Sequence, residues 1–263
     1  MDFITTVYEN IHDCVSWSGR KCEDNNHFSE FLSNQTFNRL NDIEGKIEYS
    51  SYLKGLPLSG LGVKALAEVL EANQPEDRQW AAAEAFAEAF LETHKGVQFP
   101  WNMERDKRNP FGSLPGADII GFSQINGVWR LVLGEVKSSS ELRYPPQVMS
   151  GRSGHMGHQI DELVHNLSKV NQLFKWLIPR VKDTRYEDYF NVAATNYFNS
   201  GKKSIILYGI LVRDTDANEQ DLLPRGEKLR KGFSPPTICE LIALYLPWSL
   251  QELTINIQSG GGT

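Results

Sequence analysis

A chain of 263 residues, 40% hydrophobic and 11% aromatic, is long enough to bury one sizeable core and has the composition of an ordinary globular protein, not of a disordered or fibrous one. A formal net charge of −6 and a pI near 5.6 exclude a protein that coats nucleic acid by bulk electrostatics, since that affinity comes from neutralised phosphates; any contact with DNA or RNA must be local. Cys14, Cys22 and Cys239 match neither a disulfide framework nor a zinc ligand pattern, and no secretory leader or membrane-length apolar run is visible, so a cytoplasmic protein is expected.

Residues 1–75 read as a partly helical N-terminal extension. Up to about residue 60 they are mixed and polar, with turn signals at Gly55, Pro57 and Gly60 and no clean period; over 63–70 the apolar spacing is helical, and Gln74-Pro75 breaks it. One domain is expected over 76–258, opening with an alanine-rich helix over 76–94 that Gly96 stops. The signal then turns extended, with short apolar or β-branched segments at 97–101, 117–122 and 128–137, and Asn126-Gly127 between the last two is a strong hairpin turn. A Ser, Gly and Pro-rich loop over 138–157 leads into a helix over 158–178 ending at Pro179. Strands at 204–213 and 240–246 follow, then a short helix at 249–253 and a flexible tail over 259–263. That order predicts an α/β fold with a central mixed sheet flanked by helices.

The informative segment is PGADIIGFSQINGVWRLVLGEVKSSS, 115–140. Asp118 opens one strand, and Glu135 and Lys137 lie near the end of its hairpin neighbour, so the three meet at one end of the pair. Strand side chains alternate, which places Glu135 and Lys137 on one face and Val136 on the other. Leu131, Val132 and Leu133 before them are apolar on both faces, as in a covered central strand. Two carboxylates converging there make an oxygen-rich site suited to Mg²⁺, with Mn²⁺ as a substitute, and Lys137 is placed to orient a water or offset charge on a phosphate.

Pro115-Gly-Ala-Asp118 followed 17 positions later by Glu135-Val136-Lys137 resembles the PD-(D/E)XK nuclease motif, with the proline displaced from its place beside the aspartate. The resemblance covers about residues 76–213 and implies a restriction-endonuclease-like core, a helix, a three-stranded meander, a second helix and a further strand. It also implies an acidic residue on the first core helix. Glu84, Glu88 and Glu92 recur there at i, i+4 and i+8, and Glu84, among small alanines, is preferred, with Glu88 as substitute. The metal ligands would then be Asp118, Glu135 and Glu84. Relatives carry a Gln or Lys on the following helix, which Gln159 matches; it equally reads as a residue decorating the helix start. Within the superfamily the chain resembles the HamA nucleases of Hachiman anti-phage systems, which implies DNA as substrate and a helicase partner encoded alongside.

Local nucleic-acid contacts are expected from Lys107 and Arg108, with Lys95 and Arg105 nearby, and from Arg143, Arg152, His155 and His158. His155, His158 and His165 do not have zinc spacing, and Ser138, Ser139 and Ser140 read as loop residues without a nucleophile elbow. The tryptophans, Trp80 among them, read as core or core-edge packing. Two further readings use the same fold: a sequence-specific restriction endonuclease, and a module that binds nucleic acid or a partner without cutting.

Overall fold

The computed structural model describes residues 3–71, 79–106 and 116–259. The chain is an α/β protein whose six strands form one mixed sheet in the order β1-β2-β6-β5-β4-β3. These strands are β1 (Ile4–His12), β2 (Val15–Cys22), β3 (Ile119–Ile125), β4 (Val128–Ser139), β5 (Ile205–Arg213) and β6 (Ile238–Tyr245). The inner four, β2, β6, β5 and β4, run parallel; β1 and β3 close the two edges antiparallel to their neighbours. β5 is buried along its whole length, as a parallel strand covered on both faces must be.

The described helices are α1 (Asn26–Phe31), α2 (Phe37–Leu40), α3 (Ile43–Lys54), α4 (Gly60–Glu71), α5 (Gln79–Lys95), α6 (Met156–His165), α7 (Leu167–Val181), α8 (Glu187–Asn199), α9 (Leu223–Gly232) and α10 (Leu250–Ser259). They sort by the strand face they cover. Val132, Val136, Ile206, Ile210 and Ile242 pack against α1, α5 and α10, while Leu131, Leu133, Leu207, Leu211 and Leu241 pack against α6, α7 and α9. α5 suits its place because alanine is the best helix former, and buried Ala81, Ala82, Ala85 and Ala89 let its backbone lie close to the sheet. On the other face Gly209 of β5 does the same for α6: a Cβ there would stand 2.6 Å from Leu241 and 2.9 Å from Ile160. Since Gly209 is the register partner of Glu135, α6 comes closest to the sheet beside that carboxylate.

Several expectations need correction. The N-terminal extension expected over 1–75 contributes two strands to the central sheet: β1 and β2 form a hairpin, and β2 pairs with β6. The segment 97–101 is no strand and makes only a bridge between Gln98 and Phe122, because Pro100 cannot extend a ladder. The helix expected over 158–178 is two. Asn166 leaves helical geometry (φ −86°, ψ 92°) and its side chain accepts from the Lys169 N–H as an N-cap. Pro179 does not end α7, which runs on one further half-turn and buries Val181. α8 and α9 were not anticipated. The Asn126-Gly127 turn is present as expected, with φ of 51° and 78°, the left-handed pair of a type I′ hairpin. Gln74-Pro75 and residues 260–263 lie outside the described residues. No described helix is long and apolar enough to cross a membrane.

Candidate active site

β3 begins at Ile119, opposite Gly134, whereas β4 continues to Ser139 alongside β5. The last residues of β4 therefore run past the start of the edge strand, and a cleft opens there between the helical layers. Its volume is about 420 Å³, and Trp80, Ala83, Glu84, Asp118, Glu135, Val136, Lys137, Ser138 and Gln159 line it. The pleat alone would put Glu84 and Glu135 on opposite sides of the sheet, since α5 packs on the Val136 face. They share a cleft because the sheet edge stops between them.

Asp118 occupies the place where β3 would continue. Its Oδ2 accepts the Val136 N–H at 2.9 Å, so a side chain caps the free edge of β4. Lys137 Nζ donates to Glu135 Oε1 at 2.6 Å. Glu135 is 1% exposed, and its Oε2 is buried with no donor group of the fold on it, while the Asp118 carboxylate lies close enough to share a proton with Glu135. Burial first, and then the neighbouring Asp118 carboxylate, push the Glu135 carboxyl up to about 8, against the lowering effect of Lys137. A buried carboxylate oxygen without a donor, beside a second carboxylate, is an arrangement that a divalent cation would relieve.

Two carboxylates are a donor set that could hold Mg²⁺, which takes one or two carboxylates and keeps waters and phosphate oxygens elsewhere; Asp118 and Glu135 are the residues that would supply them. The three-acid set expected to include Glu84 is not drawn together. Glu84 lines the cleft, but among the described residues no group of three or more His, Cys, Asp and Glu is placed to hold a metal. Glu88, the substitute, does not line the cleft: it is buried against Arg39, Nε to Oε2 3.5 Å, and burial pushes its carboxyl up to about 7 although Arg39 opposes this, with Asp118 near enough to add to the rise. Gln159 reaches the cleft, and its Oε1 is also buried without a partner.

No family model matches this chain, and no curated protein is significantly similar to it.

The basic residues expected to meet nucleic acid are mostly elsewhere. Lys107 and Arg108, like Pro115, lie outside the described residues. Lys95 is paired with Glu240 at 2.5 Å, and Arg105 is held by Asp42 at 2.7 Å with Glu44 and Glu48 beside it, so both serve the fold. Arg143 and Arg152 are exposed on the loop after β4. His155 Nδ1 is 2.5 Å from Ser150 Oγ, and His158 Nε2 is 3.9 Å from Glu162. None of these four lines the cleft.

Ser138 and Ser139 belong to β4 and not to a loop, and Ser138 lines the cleft. Trp80 also lines it and is more than a third exposed, at the edge of the core and not inside it.

The raised Glu135 carboxyl has a consequence for stability. In the fold it titrates near 8 instead of near 4.5, so the native state holds a proton that the unfolded chain has lost across that window. This favours folding below the ordinary carboxylate range, and the advantage is lost as pH rises towards 8. Melting curves in EDTA at pH 5 to 9 should thus show Glu135→Gln gaining on the wild type as pH rises; parallel curves would contradict the proton assignment.

Proposed function

We propose that this cleft hydrolyses a phosphodiester bond of DNA, as a metal-dependent nuclease of the PD-(D/E)XK type. The observation that carries the reading is the convergence of Asp118, Glu135 and Lys137 at the uncovered end of β4, with a buried Glu135 oxygen left without a donor. What sets this oxygen apart is the second carboxylate beside it: Asp118 raises the Glu135 carboxyl, and two acids held so close favour either a shared proton or a cation.

Bound at Asp118 and Glu135, Mg²⁺ or Mn²⁺ would supply Lewis-acid polarisation of the phosphoryl group and a more acidic water. The remaining work belongs to the chain. The Val136 N–H fixes the Asp118 carboxylate, so its orientation is set before substrate arrives. Lys137, held by Glu135, donates towards the attacking water and offsets the charge that gathers on the phosphate as the P–O bond to the leaving group breaks. Gln159 presents an amide whose oxygen has no partner in the fold and whose N–H groups can bind a phosphate oxygen or a water. Glu84 adds a third acid at the cleft wall.

The same reading extends to an effector of bacterial anti-phage defence, cytoplasmic and working with a helicase. It draws support from the net charge of −6, which leaves an isolated chain poorly equipped to gather DNA without a partner. The test is an assay of plasmid, linear duplex and single-stranded DNA in Mg²⁺, with and without a helicase encoded beside the gene. Cleavage of at least one substrate, increased by the helicase, is expected. No cleavage of any of them under either condition would refute the nuclease reading.

A further inference from the structure

The loop that leaves β4 after Ser139 returns at α6, so it joins the strand carrying Glu135 and Lys137 to the helix carrying Gln159. Its base is clamped by Arg213, a fully buried guanidinium. Nη1 donates to Ser139 O at 3.3 Å, Nη2 donates to Arg143 O at 3.4 Å, and the Tyr144 ring lies 5.5 Å away over the cation. Tyr144 Oη donates to Asp216 O at 3.4 Å.

This anchored loop holds two side chains out. Leu142 is 82% exposed, and the Arg143 side chain 66%. A leucine so exposed at a clamped position adds nothing to the core. The nearby carboxylates are turned towards donors of the chain itself: Glu141 Oε2 accepts Gln147 N–H at 2.8 Å, and Asp214 Oδ2 accepts Ser140 Oγ at 2.8 Å and Leu250 N–H at 2.9 Å. Among the described residues the Arg143 guanidinium is paired with Glu141, at 4.0 Å. Leu142 follows the cleft residue Ser138 by four positions, within about 14 Å of chain, or roughly four duplex base steps. An apolar tip next to an exposed cation that is held only by a long 4.0 Å ion pair, that close along the chain to the proposed cleavage centre, matches a side chain that enters a base stack while its neighbour holds the flanking phosphate.

We propose that Leu142 is a wedge that opens the base stack of the DNA strand being cut and that Arg143 anchors the adjoining phosphate; this rests on the nuclease reading above. Neither residue belongs to the acid and lysine cluster, and the side chains of both are exposed.

The experiment uses duplex DNA carrying 2-aminopurine at each position in turn across four nucleotides either side of the cut, with Ca²⁺ replacing Mg²⁺, together with cleavage rates in Mg²⁺. The wild type should brighten the probe at one step. Leu142→Ser should lose that signal and cut intact duplex about tenfold more slowly, yet cut a duplex with a mismatch bubble at that step at the wild-type rate, and Leu142→Met should restore both. Arg143→Ala should weaken binding and make the slope of log affinity against log salt shallower by about 1. A wild type that cuts duplex without brightening any probe, or a Leu142→Ser variant that behaves as wild type, overturns the wedge and leaves the nuclease reading standing. A wild type that cuts no DNA removes both.

Discussion

Lys137→Ala is expected to slow single-turnover DNA cleavage by roughly 10²–10⁴-fold while leaving the circular dichroism spectrum unchanged. Two losses combine. The ammonium that would meet the water or the phosphate is gone, and Glu135 loses the hydrogen bond that holds its Oε1 at 2.6 Å. That carboxyl is already reluctant to ionise, because burial and Asp118 raise it. Without Lys137 it is harder still to present as a carboxylate to a cation. Part of the defect should therefore recover at higher pH, where Glu135 ionises unaided, and a defect of equal size at every pH would mean that Lys137 acts only on the substrate.

The largest effect on stability is expected away from the cleft. Arg213 and Asp221 are both 0% exposed, with Nε and Oδ2 3.4 Å apart, and Tyr245 Oη donates to the same Oδ2 at 2.9 Å, with Tyr8 Oη 2.9 Å from Tyr245 Oη. Asp221→Asn leaves the guanidinium buried without a counter-charge, which costs about 3–5 kcal/mol. In a chain of this length that corresponds to a loss of roughly 10 °C in thermal midpoint. Denaturant unfolding of the variant checks it, and a change below about 1 kcal/mol would mean that water reaches the pair. Because Arg213 also clamps the loop after β4, the same variant should loosen Leu142 and Arg143 before it unfolds the sheet.

How much of this was legible beforehand depended on whether the signal was local. The hairpin of β3 and β4 could be read because Asn126-Gly127 specifies its turn, and β5 because its apolar run up to Val212 has few other uses. β1 and β2 were hidden: β2 buries Ser18 and Gly19, and Gly19 is there to admit the Tyr8 ring, a contact that exists only after the hairpin forms. α8 escaped because it buries only Ala193 and Tyr197 and exposes Val192 and Phe198, which blurs its helical period. At the site, Asp118, Glu135 and Lys137 were placed together by hairpin register and pleat. That Trp80 shares their cleft was not readable, because it depends on where β3 stops relative to α5. Which of Glu84 and Glu88 lines the cleft turned on Arg39, 49 positions from Glu88 in sequence, whose guanidinium claims Glu88.

The nuclease reading requires Asp118 and Glu135 to hold a divalent ion on which cleavage depends. The most direct measurement is cleavage of a labelled DNA by the wild type and by Asp118→Asn, in EDTA, then with Mg²⁺, Mn²⁺ or Ca²⁺ added back. Cutting that stops in EDTA, returns with Mg²⁺ or Mn²⁺ but not Ca²⁺, and is absent from Asp118→Asn under every condition is the predicted result. Cutting that persists in EDTA, or an Asp118→Asn variant as active as the wild type, would contradict it.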